Sequence, residues 1–184
     1  MSRADVADVV RAKAGDTGAF DRLAASVVDR LLQVARLILR DPELAEDAAQ
    51  DALIRCWRDL PSLRDPGAFD AWLNRLLIRA VQEQYRLLRR HRGSVTMLHL
   101  EPGHPDDTQD IATREQLARG FERLTLEHRS VLVLRLYLGF SLEETALTLG
   151  IPAGTAKSRL HYATEAMREA LEADARPPLR EVSA

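Results

Sequence analysis

A fold held together by disulfides is excluded, because Cys56 is the single cysteine among 184 residues. For the same reason the chain can build neither a zinc ribbon nor a Cys-x-x-Cys redox pair. Aromatic residues make up only 5% of the chain, and every apolar run is broken by a charge far short of a membrane span. No signal peptide is recognisable at the N-terminus. These absences predict a cytoplasmic protein in a reducing compartment, with no membrane insertion.

Catalytic signatures are also missing. The sequence contains no P-loop, no His-Glu-x-x-His motif and no Ser/His/Asp or Cys/His set that the spacing would support. His99 and His104 lie near Asp106, but an irregular segment would not preorganise them as metal ligands. We therefore expect no enzyme, no metal and no cofactor.

The overall charge is nearly balanced, with 26 Lys and Arg against 28 Asp and Glu, which gives a formal net charge of −2. At 46% hydrophobic residues the chain is expected to fold, which excludes the disordered and supercharged classes. The balance also argues against a protein that coats nucleic acid everywhere, although it allows a local basic face.

Apolar residues three and four apart predict helices in the N-terminal half. The first helix carries this spacing from Phe20 to Leu39, and Asp41-Pro42-Glu43 has the composition of a second helix start that leads to Pro61. After a turn-rich loop, a third helix is expected from Phe69 to about Arg92. Residues 1–92 are therefore predicted to form a helical bundle.

The C-terminal half predicts a second, smaller unit. Residues 93–112 are acidic, contain proline and lack periodicity, so they are expected to be a linker. Residues 113–175 then contain a helix capped by Thr113, a helix from about Glu127 to Leu138, and a capping box, Ser141-x-x-Glu144. A Gly-containing turn and a last helix from Thr155 complete a helix-turn-helix, and residues 176–184 are expected to be a tail. We see no strand pattern and predict an all-α fold of two small helical domains joined by a flexible acidic linker.

Charge is segregated along the first unit. Between residues 75 and 92 six arginines face a single acid, Glu83, and on a helix most of them fall on one side, where they can meet a phosphate backbone. The preceding helix is acidic, which suggests a protein partner there and nucleic acid on the basic helix. Solvated faces that only keep the protein soluble are the alternative for both. For Trp57 and Trp72, core packing is favoured over stacking on bases.

The last helix of the second unit has a polar start. Lys157, Ser158, His161 and Tyr162 lie in its first two turns, where a recognition helix contacts base edges. Thr155, Arg159 and the free N–H groups of the helix start can hold phosphates.

Several stretches together resemble an extracytoplasmic-function (ECF) sigma factor, a promoter-specificity subunit of bacterial RNA polymerase. Residues 19–23 resemble the opening helix of the family, and residues 45–53 resemble its polymerase-binding helix. Residues 69–92 resemble the promoter-melting element, and residues 124–160 resemble the domain that reads the upstream promoter element. The chain departs from the family pattern at Ala80 and Gln84 in the third helix, and at Tyr162 and Thr164 in the last one.

The resemblance implies a sigma factor that directs core RNA polymerase to promoters, melts the −10 element and recognises the −35 element. Its implied partners are core polymerase, through the beta and beta-prime subunits, promoter DNA, and an anti-sigma factor or other regulator. The implied polymerase contacts are Glu46, Asp47, Gln50 and Asp51. The implied −10 contacts are Leu63, Arg64, Phe69, Arg75, Arg79, Arg86, Arg89 and Arg90, with the loop from Leu63 to Phe69 capturing a flipped base. The implied −35 contacts are Thr155, Lys157, Ser158, Arg159, His161 and Tyr162.

A stand-alone helix-turn-helix regulator is the main alternative. Such a protein typically dimerises and binds duplex DNA without polymerase, whereas a sigma factor binds its promoter well only within the holoenzyme.

Overall fold

A computed structural model describes residues 4–92 and 117–175, and its regular elements in those ranges are all helical. The all-α prediction is confirmed. Contacts between Cα atoms divide the chain into two compact units, one largely from residues 1–100 and the other largely from residues 101–184. No helix in the described ranges is long and apolar enough to cross a membrane. The predicted linker, the Thr113 cap, the two linker histidines and the tail all lie outside the described residues.

The N-terminal unit contains four α-helices, named here α1 (Val6–Lys13), α2 (Thr17–Leu39), α3 (Pro42–Asp59) and α4 (Phe69–Arg92). α3 packs against both α2 and α4. It presents small side chains to them, since Ala45, Ala48 and Ala52 are completely buried. The apolar side of α2, predicted from the spacing of its residues, forms the centre of the core. Its side chains are each at most 2% exposed: Leu23, Val27, Leu31, Val34 and Ile38.

Side-chain caps fix where these helices begin. The Asp16 carboxylate accepts a hydrogen bond from the Ala19 amide at 3.0 Å, and that of Asp41 accepts one from Leu44 at 3.1 Å. Each carboxylate satisfies an amide that has no partner within the helix. The predicted helix start at Asp41 is confirmed, whereas α1 was not predicted.

A short loop, residues 63–69, joins the end of the α3 region to α4. It follows one 3-10 turn, Leu60–Ser62, and contains a second, Pro66–Ala68. Leu63 and Phe69, at its two ends, are 6% and 2% exposed, while Arg64 is exposed. The loop is therefore anchored in the core at both ends.

The C-terminal unit consists of helical residues 117–122 (α5), α6 (Leu126–Leu132), α7 (Leu142–Leu149) and α8 (Ala153–Ala175). α6 continues as a π-helical turn from Val133 to Tyr137, so the predicted helix from Glu127 to Leu138 lies where expected. Leu124, Leu132 and Ala163 form a buried cluster, and Phe121, Leu160, Ala166 and Met167 pack against it. The α7–α8 connection has Gly150 at φ +66°, which glycine adopts without strain.

The predicted capping box at the start of α7 is confirmed. The Ser141 hydroxyl accepts a hydrogen bond from the Glu144 amide at 3.1 Å, and the Glu144 carboxylate accepts one from the Ser141 amide at 2.7 Å. The hydrogen bond that the Ser141 backbone amide donates to this carboxylate, and after it the Ser141 side chain, lower the pKa of Glu144. The carboxylate therefore stabilises the helix fully above its unfolded pKa, and this contribution is lost as the pH falls through the lowered folded pKa, below 4.5.

Replacing Ser141 by alanine is expected to lower the free energy of unfolding by about 1 kcal/mol, because an amide of α7 loses its acceptor. Urea unfolding followed by circular dichroism at pH 7 measures the effect. Glu143→Ala is the matched control, because Glu143 lies in the same first turn but takes no part in the capping box. Equal losses for the two variants would contradict a specific role of the box.

Candidate nucleic-acid and protein interfaces

α4 carries the predicted basic face, defined as Arg75, Arg79, Arg86, Arg89 and Arg90. Arg75 is partly exposed and the other four are exposed. Arg86 donates to the Gln82 carbonyl of its own helix at 3.2 Å, and the Arg89 guanidinium lies 6.0 Å from the Tyr85 ring centroid. None of the five forms a salt bridge with another residue of the described ranges. Their charges are therefore available to an external anion.

Glu83, the acid within this stretch, is neutralised from the neighbouring helix. Arg55 of α3 contacts its carboxylate at 2.6 Å and the Asp51 carboxylate at 2.7 Å. The hydrogen bond from Arg55 lowers the pKa of Glu83, so the carboxylate stays ionised and paired. The planar guanidinium presents several N–H donors and can hold two carboxylates at once. The single acid between residues 75 and 92 therefore does not cancel the basic face.

The outward side of α3 forms an acidic face, defined as Glu46, Asp47, Gln50 and Asp51. The first three are exposed, and Asp51 is partly buried by its pair with Arg55. Glu46 contacts Arg36 at 3.2 Å, with both side chains in solvent, so this pair contributes little to stability. All four predicted residues lie on one helix and are open to a partner to different degrees.

Exposed apolar side chains continue the acidic face toward the end of α3. Ile54 is 58% exposed and Trp57 is 47% exposed. The expected core packing is wrong for Trp57, because the small Ala52 and Cys56 occupy the core side of the helix. The Trp57 ring forms a T-shaped pair with Phe20, with ring centroids 4.7 Å apart. Trp72 is partly buried beside Phe69. Exposed aromatic side chains are typical of protein interfaces, and the acidic side chains beside them would favour a partner with a basic surface.

Two residues of the 63–69 loop that were expected to contact DNA do not lie on the surface. Leu63 and Phe69 are buried, so their side chains support the loop from inside and present no surface to a base in this conformation. Arg64 is exposed between them. The Asp65 carboxylate accepts a hydrogen bond from the Gly67 amide at 2.8 Å, which holds the turn that leads into α4. Ala80, one of the departures from the family pattern, is completely buried as well.

The start of α8 presents the predicted polar residues outward. Ala156 and Ala163 are completely buried, which fixes the inner side of the helix. On the opposite side Lys157, Ser158, His161 and Tyr162 are exposed, and the rings of the last two lie 5.6 Å apart. Thr155 and Arg159 are partly exposed at the edges. The hydroxyl of Thr164 donates to the Leu160 carbonyl at 2.8 Å and is thus engaged by its own helix.

Reactive groups are not gathered anywhere in the part of the chain that the structure describes. No cluster of three His, Cys, Asp or Glu side chains suited to a metal occurs there. Cys56 is 1% exposed, and burial raises the pKa of its thiol to about 12, so it is no nucleophile at neutral pH. The helix-turn-helix and the unpaired basic face define a DNA-binding transcription factor with two helical units.

Comparison with known proteins places this factor in a family. Sigma-70 region 2 matches residues 23–92 and Sigma-70 region 4 matches residues 120–169. The RNA polymerase sigma-E factor of Streptomyces avermitilis is 35% identical over 91% of this chain and 94% of its own. The ECF RNA polymerase sigma factor SigM of Mycobacterium tuberculosis is 35% identical over 79% of this chain and 74% of its own. The chain belongs to the ECF sigma factors of RNA polymerase and acts in transcription initiation.

Two similar solved structures are complexes with a second protein. CnrH, in complex with the cytosolic domain of CnrY, is 26% identical, with a TM-score of 0.64 over 94% of this chain and 99% of that one. RpoE of Bartonella quintana, in complex with the anti-sigma factor NepR, is 26% identical, with a TM-score of 0.67 over 84% of this chain and 98% of that one. The region 2 match includes both the acidic and the basic faces, so a stand-alone helix-turn-helix regulator is not favoured.

Proposed function

We propose that the acidic face of α3 docks on core RNA polymerase, that the basic face of α4 and the 63–69 loop hold the separated non-template strand, and that the start of α8 reads the upstream element. Segregated charge carries the proposal. Five arginines on one helix form no salt bridge with any residue that the structure describes, and the helix packed beside it is acidic. A phosphate backbone binds a positively charged surface, which α4 supplies. A basic protein surface binds a negatively charged one, which α3 supplies.

The energetics assign a distinct task to each surface. Flipping a base out of the duplex costs a few kcal/mol of stacking. Contacts from guanidinium groups to phosphates and capture of the base in the 63–69 loop offset this cost only once the strands have separated. The recognition helix meanwhile holds intact duplex upstream, which keeps the melting element next to the same DNA. The protein itself is no enzyme in this scheme, because the polymerase forms the phosphodiester bonds.

The partners follow from the same surfaces. The acidic face would meet the beta-prime subunit, and the beta subunit would complete the core contacts of the chain. An anti-sigma factor or other regulator is a further proposed partner, supported by the two similar structures, which were solved with CnrY and NepR. All these partners are cytoplasmic in a bacterium, and we assign the protein to that compartment.

Transcription in vitro tests the proposal directly. Purified protein added to core polymerase is expected to create defined transcript starts on genomic DNA of the source organism. Tight binding of the free protein to duplex DNA, with no new starts, would favour the stand-alone regulator instead.

Asp47→Arg is expected to weaken binding to core polymerase by about tenfold or more, because it places a positive charge against a basic docking surface. Titration of labelled protein with core polymerase measures the affinity. Asp29→Arg makes the same charge change at an exposed position of α2 and serves as the control. Equal weakening by the two variants would indicate a general charge effect and contradict docking through α3.

A further inference from the structure

α1 precedes the Sigma-70 region 2 match, which begins at residue 23. It is firmly docked. Val9 is completely buried and Ala12 is 5% exposed. Asp8 contacts Arg22 of α2 at 2.5 Å. A short helix fixed in this way can position whatever its last residue touches.

The last residue of α1, Lys13, reaches the 63–69 loop. Its ammonium group donates a hydrogen bond to the Leu63 carbonyl at 2.5 Å, in a partly buried setting and across 50 residues of sequence. The Leu63 amide donates to the Leu60 carbonyl at 3.0 Å, and the Leu63 side chain is 6% exposed. Leu63 is thus held through its amide, its carbonyl and its side chain.

The backbone that follows Arg64 in the sequence is held in place as well. Asp65 accepts hydrogen bonds from the Gly67 amide at 2.8 Å, through its carboxylate, and from the Ala68 amide at 3.0 Å, through its carbonyl. Phe69 then enters the core at 2% exposure. Arg64 therefore projects from a short segment whose backbone is fixed on both sides.

We infer that Lys13 is a positioning residue for the 63–69 loop: by holding the Leu63 carbonyl it sets the direction in which Arg64 and the adjoining backbone meet the single strand. This inference rests on the proposed role of the loop in capturing a −10 base. A contact made before DNA arrives removes the cost of ordering the loop at the moment of binding. A charged donor suits this task, because charge-assisted hydrogen bonds are stronger than neutral ones.

The test measures how holoenzyme binds a fluorescent single-stranded oligonucleotide that carries the non-template −10 sequence of a promoter it uses. Lys13→Met keeps the length of the side chain but removes its donors, and about three- to tenfold weaker binding is expected. Lys13→Arg retains donors and is expected to recover most of the affinity. The double variant Lys13→Met/Arg64→Ala is expected to have the same affinity as whichever single variant binds the oligonucleotide more weakly. The two losses should not add, because Lys13 acts through the placement of Arg64.

Salt dependence separates positioning from direct phosphate contact. Removing one phosphate contact to a single strand lowers the slope of log affinity against log salt by about 0.7. Arg89→Ala is expected to show this change, whereas Lys13→Met is expected to keep the wild-type slope. A reduced slope for Lys13→Met would overturn the positioning role, because Lys13 would then contact DNA itself.

The remaining outcomes distinguish this inference from the proposed function. Wild-type affinity for Lys13→Met, or additive losses with Arg64→Ala, would overturn the inference while weaker binding by Arg89→Ala still supports the function. If Arg64→Ala binds as wild type and Arg89→Ala does not, the role of the loop fails and the inference fails with it. If Arg89→Ala also binds as wild type, the proposed strand contacts fail together.

Discussion

Promoter opening is expected to fall about 1,000-fold or more when Arg86, Arg89 and Arg90 are replaced together by alanine, because three charged hydrogen-bond donors, each contributing about 1.5 kcal/mol or more, are lost. None of the three forms a salt bridge with a described residue, and Glu83 keeps its pair with Arg55 when they are removed. Binding to core polymerase is therefore expected to stay within about twofold of the wild type, since the docking face on α3 is unchanged.

Permanganate reactivity of unpaired thymines in the −10 region measures opening, and titration with core polymerase measures docking. The matched control replaces three exposed arginines outside α4, Arg11, Arg123 and Arg168, which changes the net charge equally. A joint loss of docking and opening in the α4 variant would contradict the separation of tasks between the two helices. An equal loss of opening in the control would show that only total charge matters.

Recognition of the upstream element is expected to weaken by about 1 to 3 kcal/mol when Lys157 is replaced by alanine, if its ammonium contacts a base edge. Lys157 is exposed in the first turns of α8, opposite the buried Ala156 and Ala163. The loss should be largest on the cognate duplex and small on duplexes with substituted base pairs, because a base contact carries sequence discrimination.

Holoenzyme affinity for cognate and substituted duplexes gives this comparison. Arg168→Ala is the control on the same helix, because the guanidinium of Arg168 pairs with Glu165 two turns beyond the recognition residues. Uniform weakening on every duplex, with a smaller dependence on salt, would instead place Lys157 on a phosphate.

Features that depend on neighbouring residues were predictable from sequence. The carboxylate of Asp41 caps the helix that starts beside it, and Ser141 and Glu144 form the expected reciprocal bonds. The stripe of α2 is buried as its spacing predicts, because a helix brings every third and fourth residue to one side. The charge difference between α3 and α4 is likewise visible in the sequence itself.

Features that depend on distant residues were missed. α1 has only eight residues, too few to be stable alone, and it is held by packing against the bundle. The contact between Lys13 and Leu63 joins positions 50 residues apart, so no local pattern announces it. The exposure of Trp57 depends on how the helices pack, and residue type alone suggested burial. Leu63 and Phe69 are buried as apolar residues usually are, whereas the family resemblance had implied that they contact DNA.

Arg55 has a consequence for engineering. Its guanidinium holds Asp51 on one helix and Glu83 on the next, and a lysine could not reproduce this fork with a single ammonium. Anyone transplanting α4 alone into a designed scaffold would leave Glu83 without Arg55. The carboxylate would then attract Arg86, the other cation that lowers its pKa, and so weaken the basic face. A portable strand-binding module must therefore include position 55 along with the helix.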